Sequence, residues 1–272
     1  MNRLKFAGAA LALLLPLTAE AHRFWLLPTS TVVTKAGTWV SFDAAVSNDI
    51  FHIDYRPLQI GQLQIATPDG STVAPENVST GKLRTTFDLE LAKEGTYRLF
   101  TASNGLTARW EEDGKPKFWP ARGTTPTREA FDKEVPKKAE KLVITQSSRR
   151  LETFVTAGKP GTEALQPTKV GLELVPITHP NDLFAGETAR FSFLIDGKPA
   201  VGVKLEIVPG GMRYRNDQAM INVETDKKGE VAITWPTAGL YWLEASYEDD
   251  KAPKPATKRS GQYVATFEVL PQ

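Results

Sequence analysis

The sequence predicts an all-β protein made of two antiparallel β-sandwich domains with one irregular, partly helical insert. Three observations carry this. Apolar residues alternate with polar ones over short runs, as at Val40, Phe42, Ala44 and Val46, which is the period of a half-buried strand. Turn-forming residues separate these runs at short intervals, the spacing of sandwich strands rather than of βαβ units. Cysteine is absent from all 272 residues, so stability rests on an apolar core and not on disulfides.

The elements follow in order. Residues 1–21 read as a secretory signal peptide: Arg3 and Lys5 give a positive start, Phe6 to Leu17 is apolar, and Ala19-Glu20-Ala21 is a small-x-small cleavage pattern. Cleavage after Ala21 makes His22 the first residue of a periplasmic product. The apolar run is shorter than the roughly 20 residues a membrane-spanning helix needs, so no membrane insertion is expected after cleavage. Without this segment the chain holds 31 basic and 31 acidic residues. A neutral chain has no electrostatic reason to bind nucleic acid. The lack of cysteine also excludes thiolate metal sites and Cys nucleophiles.

The first domain is expected over 22–165. Leu83, Thr85, Phe87, Leu89 and Leu91 share one strand face, Glu94-Gly95 turns into Tyr97-Arg98-Leu99-Phe100, and Thr67-Pro68-Asp69-Gly70 is a strong turn after Leu63-Gln64-Ile65. From about 114 to 139 the alternation fails. Lys115 to Pro120 reads as irregular, and Thr127 caps a short helix over Arg128–Glu134 that Pro136 stops. Strands resume at Lys141–Thr145 and Leu151–Thr156, with Arg149-Arg150 and Lys137-Lys138 read as solvated charge. Ala157–Thr162 and Leu165–Thr168 form a connection to a second domain over 166–272. There Leu172–Val175, Ala189–Ile195, Val203–Val208, Val231–Trp235, Gly239–Ala245 and Tyr263–Leu270 approach the strand count of an immunoglobulin-like sandwich. The six tryptophans, Trp25, Trp39, Trp110, Trp119, Trp235 and Trp242, are assigned to the two cores and their interface. Phe118-Trp119-Pro120 is the best candidate for a sugar-binding platform, and Pro209 to Arg215 reads as a flexible hairpin or, alternatively, as a mobile loop over a site with Met212 as a soft ligand for Cu(I).

Two blocks carry a family resemblance. The start His22-Arg23-Phe24-Trp25-Leu26-Leu27-Pro28 is similar to the opening of a family of periplasmic proteins of unknown function, often described as periplasmic components of cobalt or nickel ABC-type transport. Leu172 to Pro176 through His179-Pro180, Gly186-Glu187 and Asp196-Gly197-Lys198-Pro199 resembles a middle block of the same family. The run Thr225-Asp226, Gly229, Trp235-Pro236, Gly239 and Tyr241-Trp242 resembles transthyretin-like and carboxypeptidase-regulatory-like sandwiches. The resemblance implies export, β architecture and an association with metal uptake.

Only three histidines are present, His22, His52 and His179. An N-terminal histidine offers its α-amine and ring Nδ1 as a chelate, and a second imidazole completes the three-nitrogen histidine brace that suits Cu(II). The amine, with a pKa of about 7.7–8.0, deprotonates near neutral pH. In an extended segment His52 and Asp54 share a face, the carboxylate serving as ligand or orienting group. His179 lies in a Thr-His-Pro-Asn-Asp turn where Asp182 is positioned to orient the ring. All three histidines are expected to converge if the first strand reaches the domain junction.

These readings point to a periplasmic binding protein, not an enzyme, that takes a transition-metal ion for uptake, buffering or delivery. His22, His52 and His179 are the expected ligands, with Asp54 and Asp182 in support. Brace geometry favours copper, and the family resemblance favours nickel or cobalt. The implied partners are the metal ion and an inner-membrane ABC-type or outer-membrane metal transporter. Two other classes stay open: a histidine-brace copper redox enzyme acting on a polysaccharide, and a non-catalytic structural or carbohydrate-binding β module. No Gly-x-Ser-x-Gly elbow, His-Glu-x-x-His helix or phosphate-cradling glycine loop is present.

Overall fold

The computed structural model describes residues 22–272 apart from 122, 123 and 125, so the expected signal segment lies outside the described residues. The alternating runs become strands β1 (Arg23–Pro28), β2 (Val32–Val33), β3 (Thr38–Ser47), β4 (Arg56–Pro57), β5 (Gln64–Ala66), β6 (Thr72–Val73) and β7 (Glu76–Thr80). Next come β8 (Thr85–Leu91), β9 (Gly95–Glu112), β10 (Lys115–Trp119), helix α1 (Arg128–Glu134) and β11 (Glu140–Ala157). The second half supplies β12 (Leu172–Pro176), β13 (Thr188–Ile195), β14 (Lys198–Pro199), β15 (Lys204–Pro209), β16 (Ile221–Glu224), β17 (Glu230–Thr234), β18 (Gly239–Asp249) and β19 (Lys258–Val269).

These strands form three layers. One outer sheet runs β1-β3-β8-β7, with β4 also on β3; the other runs β12-β13-β14, with β17 on β13. Between them lies a ten-stranded sheet in the order β16-β15-β18-β19-β11-β9-β5-β6, with β10 also on β9 and β2 on β11. Both halves of the chain therefore build the middle layer. Pairing is antiparallel except where β11 meets β19 and β2.

Side-chain alternation explains how one sheet serves two cores. On β11, Leu151 and Val155 enter the core beneath β1 and β3, while Phe154 enters the opposite one beneath β12 and β13. On β18 the same split sends Trp242 to the first core and Tyr241 and Leu243 to the second. Burying one such aromatic contributes roughly 2–3 kcal/mol, so the first core depends on residues from the second half of the chain.

The insert is more regular than its sequence suggests. Lys115–Trp119 is strand β10, paired antiparallel to β9 through a two-residue turn at Asp113 (φ 52°) and Gly114 (φ 70°), the hairpin geometry that Asp-Gly favours. The helix forms as expected: the Thr127 hydroxyl accepts from the Ala130 N–H at 3.1 Å, a standard N-cap. Phe131 then packs edge-on to Trp119, ring centroids 5.1 Å apart, in a small satellite core with Ala108 and Val135. The segments 141–145 and 151–156 prove to be one strand, β11. Trp39 departs from its core assignment, being 49% exposed on β3. No helix among the described residues is long and apolar enough to cross a membrane.

Candidate functional site

The end of the molecule where β1 begins gathers three segments. His22 is exposed ahead of β1, and its ring stacks on Tyr55 at 3.8 Å between centroids, 16° from parallel. The 48–55 connection is tied down beside it. Trp25 Nε1 donates to Ser47 Oγ (2.8 Å) and Ser47 Oγ donates to the Asp49 carbonyl (2.6 Å). The His52 N–H donates to the Asp49 carbonyl at 3.2 Å. Phe51 takes φ 58°, so this stretch turns instead of extending, and the simple His52/Asp54 face alternation does not hold. Asp54 Oδ1 accepts from the Asn48 N–H at 2.9 Å, closing the loop on itself.

The third segment is the connection from β15 to β16. Arg215 pins it from within, donating to the carbonyls of Gly210 (2.5 Å), Pro209 (2.8 Å) and Gln218 (3.2 Å). Arg213 Nη1 donates to His52 Nε2 at 2.5 Å, which puts the ring proton of a neutral His52 on Nδ1. Arg23, next to His22, reaches Met212 Sδ at 3.4 Å and Gln218 Oε1 at 2.7 Å. Trp242 Nε1 donates to the Phe24 carbonyl at 3.1 Å, fixing the start of β1 on the middle sheet.

His179 does not join this group. Its Nε2 lies 3.0 Å from Thr96 Oγ1 and 3.2 Å from the Gly161 carbonyl, and Nδ1 accepts from the Asn181 N–H at 3.2 Å. Thr96 meets Thr156 across β9 and β11, and the Thr156 N–H bonds the Thr31 carbonyl at the far end of β1. Strand β1 alone spans about 20 Å at roughly 3.3 Å per residue, so His22 and His179 sit at opposite ends of the first strand. The expected convergence of three histidines fails because β1 packs across the middle sheet with Phe24 at Arg149 and the residues after its C-terminal end, not His22, at Thr156. Asp182 does not orient the ring; its neighbour Asn181 does. Burial pushes the His179 pKa down, against the Gly161 carbonyl and Asp182, which raise it.

Among the described residues no group of three or more His, Asp and Glu side chains is placed to hold a metal ion. A second polar feature had no sequence signal beyond its charges. Arg150, read as solvated, is 3% exposed and Glu152 is fully buried. Glu152 bonds Arg98 and Arg150, and Tyr263 Oη donates to it at 2.9 Å. Both guanidiniums lie over the Phe100 ring, at 5.0 and 5.2 Å. Glu173 accepts from the Thr168 N–H (2.8 Å), its hydroxyl (2.9 Å) and the Lys169 N–H (2.6 Å). The cluster is charge-balanced and ties the 166–169 connection to the middle sheet.

Residues 19–249 match a family described as a domain of unknown function, DUF4198. The chain belongs to that family. The matched span includes His22, His52 and His179 and ends at the last residue of β18, before β19. No curated protein matches the chain. Among solved structures it is similar to the human OSCAR ligand-binding domain, at 12% identity over 89% of this chain and 97% of that one with a TM-score of 0.19. It is also similar to the D0-D1 domain of intimin, at 11% identity over 89% and 96% with a TM-score of 0.22.

Proposed function

We propose that the chain is exported to the periplasm, cleaved after Ala21, and binds a transition-metal ion at the His22 end for uptake, buffering or delivery. The observation that carries this reading is the placement of His22. Its ring is exposed, held against Tyr55, and accompanied by His52 on the neighbouring loop. Cleavage would add the α-amine, giving two nitrogens from one residue and a third from His52. The donor set fits a borderline ion such as Cu(II). His52 Nε2 accepts from Arg213, and the other ring nitrogen then carries the proton, so His52 becomes a ligand through Nε2 once Arg213 withdraws. Asp54 is the nearest candidate carboxylate in sequence, with one oxygen engaged by Asn48. This reading leaves His179 and Asp182, which lie near the other end of the first strand, outside the ligand set. Copper follows from the donor set; nickel or cobalt follows from the family resemblance, together with a metal transporter as partner.

The test is a titration of the mature chain, beginning at His22, with Cu(II), Ni(II), Co(II) and Zn(II), beside a chain carrying one extra residue before His22. One tight equivalent for the first and loss of at least tenfold in affinity for the second are expected. Equal affinity for both chains would remove the N-terminal chelate.

One observation favours a second reading, a carbohydrate-binding module. Phe118 is 65% exposed beside a groove of about 470 Å³ lined by Arg109, Trp119, Glu248 and Lys258, an aromatic face with polar groups around it. Saccharide binding abolished by Phe118→Ala, with metal binding absent, would establish that reading instead.

A further inference from the structure

The chain has three methionines: Met1, Met212 and Met220. The two within the described residues both lie in the connection from β15 to β16, and both pack partly buried against the first core. Contacts on either side of Met212 fix where it sits. Its sulfur accepts from Arg23, the residue after His22, at 3.4 Å. The next residue, Arg213, bonds His52. The turn before it approaches Phe51, with a Cβ built at Gly210 lying 3.4 Å from that ring. The thioether is therefore seated between the segment that carries His22 and the segment that carries His52.

A thioether is a weak hydrogen-bond acceptor, so the Arg23 contact is readily exchanged for a better partner. Thioether sulfur selects soft ions, Cu(I) above all. The local charge opposes every cation but discriminates among them. Arg23 and Arg213 touch Met212 and His52 directly, whereas Asp54 and Asp217 at this end accept backbone N–H groups. At a given distance a guanidinium repels a monovalent ion half as strongly as a divalent one. We infer that Met212 is a ligand for Cu(I), bridging the His22 and His52 segments, with Met220 as a second thioether on the same loop. This rests on the metal-binding reading of the same end and adds the monovalent ion to it.

The experiment uses the full mature chain beginning at His22. Cu(I), kept reduced with ascorbate, is titrated in competition with a chromogenic Cu(I) chelator, and Cu(II) is titrated separately. Met212→Leu and Met220→Leu preserve apolar volume, and thermal unfolding reports whether each retains the fold. Met212→Leu is expected to weaken Cu(I) at least tenfold and leave the Cu(II) stoichiometry unchanged. X-ray absorption is expected to show a sulfur scatterer in both the Cu(I)-loaded wild type and Met220→Leu, which leaves Met212 as the only thioether of the mature chain to supply it. Cu(I) binding unchanged in Met212→Leu, or no sulfur scatterer, overturns the inference. So does a wild type that binds Cu(II) but not Cu(I), which leaves the metal-binding reading standing. A wild type that binds neither ion removes both.

Discussion

Glu152→Gln removes one charge from the buried cluster while keeping the shape of the side chain. In the wild type Oε1 accepts from Arg98 Nε at 3.0 Å and from Arg150 Nη1 at 3.0 Å, and Oε2 accepts from the Tyr263 hydroxyl at 2.9 Å. Burial pushes the Glu152 pKa up, but Arg98 and Arg150, helped by Tyr263, outweigh it and hold the carboxyl below its usual range. Glutamine keeps a carbonyl for the guanidiniums and can turn its NH₂ to the Tyr263 oxygen, which accepts as well as donates, but it brings no negative charge to offset the two arginines. The two arginines then share only Glu173, whose carboxylate lies 3.8 Å from Arg150 Nη2. Breaking a buried pair by removing one partner costs about 3–5 kcal/mol. At roughly 2–4 °C per kcal/mol for a chain of this size, Tm falls by roughly 6–20 °C. Urea and thermal unfolding, followed by tryptophan fluorescence, measure both quantities. Adding Arg98→Met to Glu152→Gln removes one of the orphaned charges, so the double variant loses less than the sum of the singles, by at least about 1 kcal/mol. A single-variant cost below about 1 kcal/mol, or strict additivity, would refute the view that Glu152 neutralises two buried arginines.

Two further stability predictions follow from the geometry. The His179 pKa is depressed by burial, so the unfolded chain, titrating near the ordinary value of about 6.5, binds the proton first on acidification. The His179 contribution is intact above about pH 6.5 and declines as pH falls toward the folded-state pKa. The unfolding free-energy difference between wild type and His179→Asn therefore narrows as the pH is lowered, and a difference independent of pH contradicts this. Gly229 has φ 75°, and an added Cβ would lie 2.8 Å from the Phe193 carbonyl oxygen and 3.0 Å from the Ala200 nitrogen; Gly114 has φ 70° with nothing within 4 Å. Gly114→Ala pays only the left-handed backbone term of about 1–2 kcal/mol, whereas Gly229→Ala adds displacement of its neighbours and is the more destabilising; equal costs in denaturant unfolding would sink this account.

Local features were legible in the sequence because their causes are local. Val40, Phe42, Ala44 and Val46 alternate and are all buried. Thr127 caps α1 through its own hydroxyl, and Asp196-Gly197 turns β13 into β14 with φ 50° and 75°. The sharing of the middle sheet was not legible. Alternation says that β11 and β19 are strands, but nothing in either run encodes a parallel partner about 113 residues away in sequence. The polar cluster was hidden for a related reason. Arg150 and Glu152 alternate with Leu151 and Thr153, which reads as a polar outer face, yet both faces of β11 are buried. Within the site, the sequence singled out His22, His52 and Met212 through the scarcity of ligand types. Its reading of His179 failed because the direction of β1 across the middle sheet is a tertiary fact.

The central claim, that His22 and His52 act together while His179 stands apart, is tested most directly by electron paramagnetic resonance of the Cu(II)-loaded mature chain, counting coordinated nitrogens in three forms. The account predicts three nitrogens in the wild type, two in His52→Ala, and an unchanged three in His179→Ala. A spectrum that loses a nitrogen in His179→Ala but not in His52→Ala would contradict it.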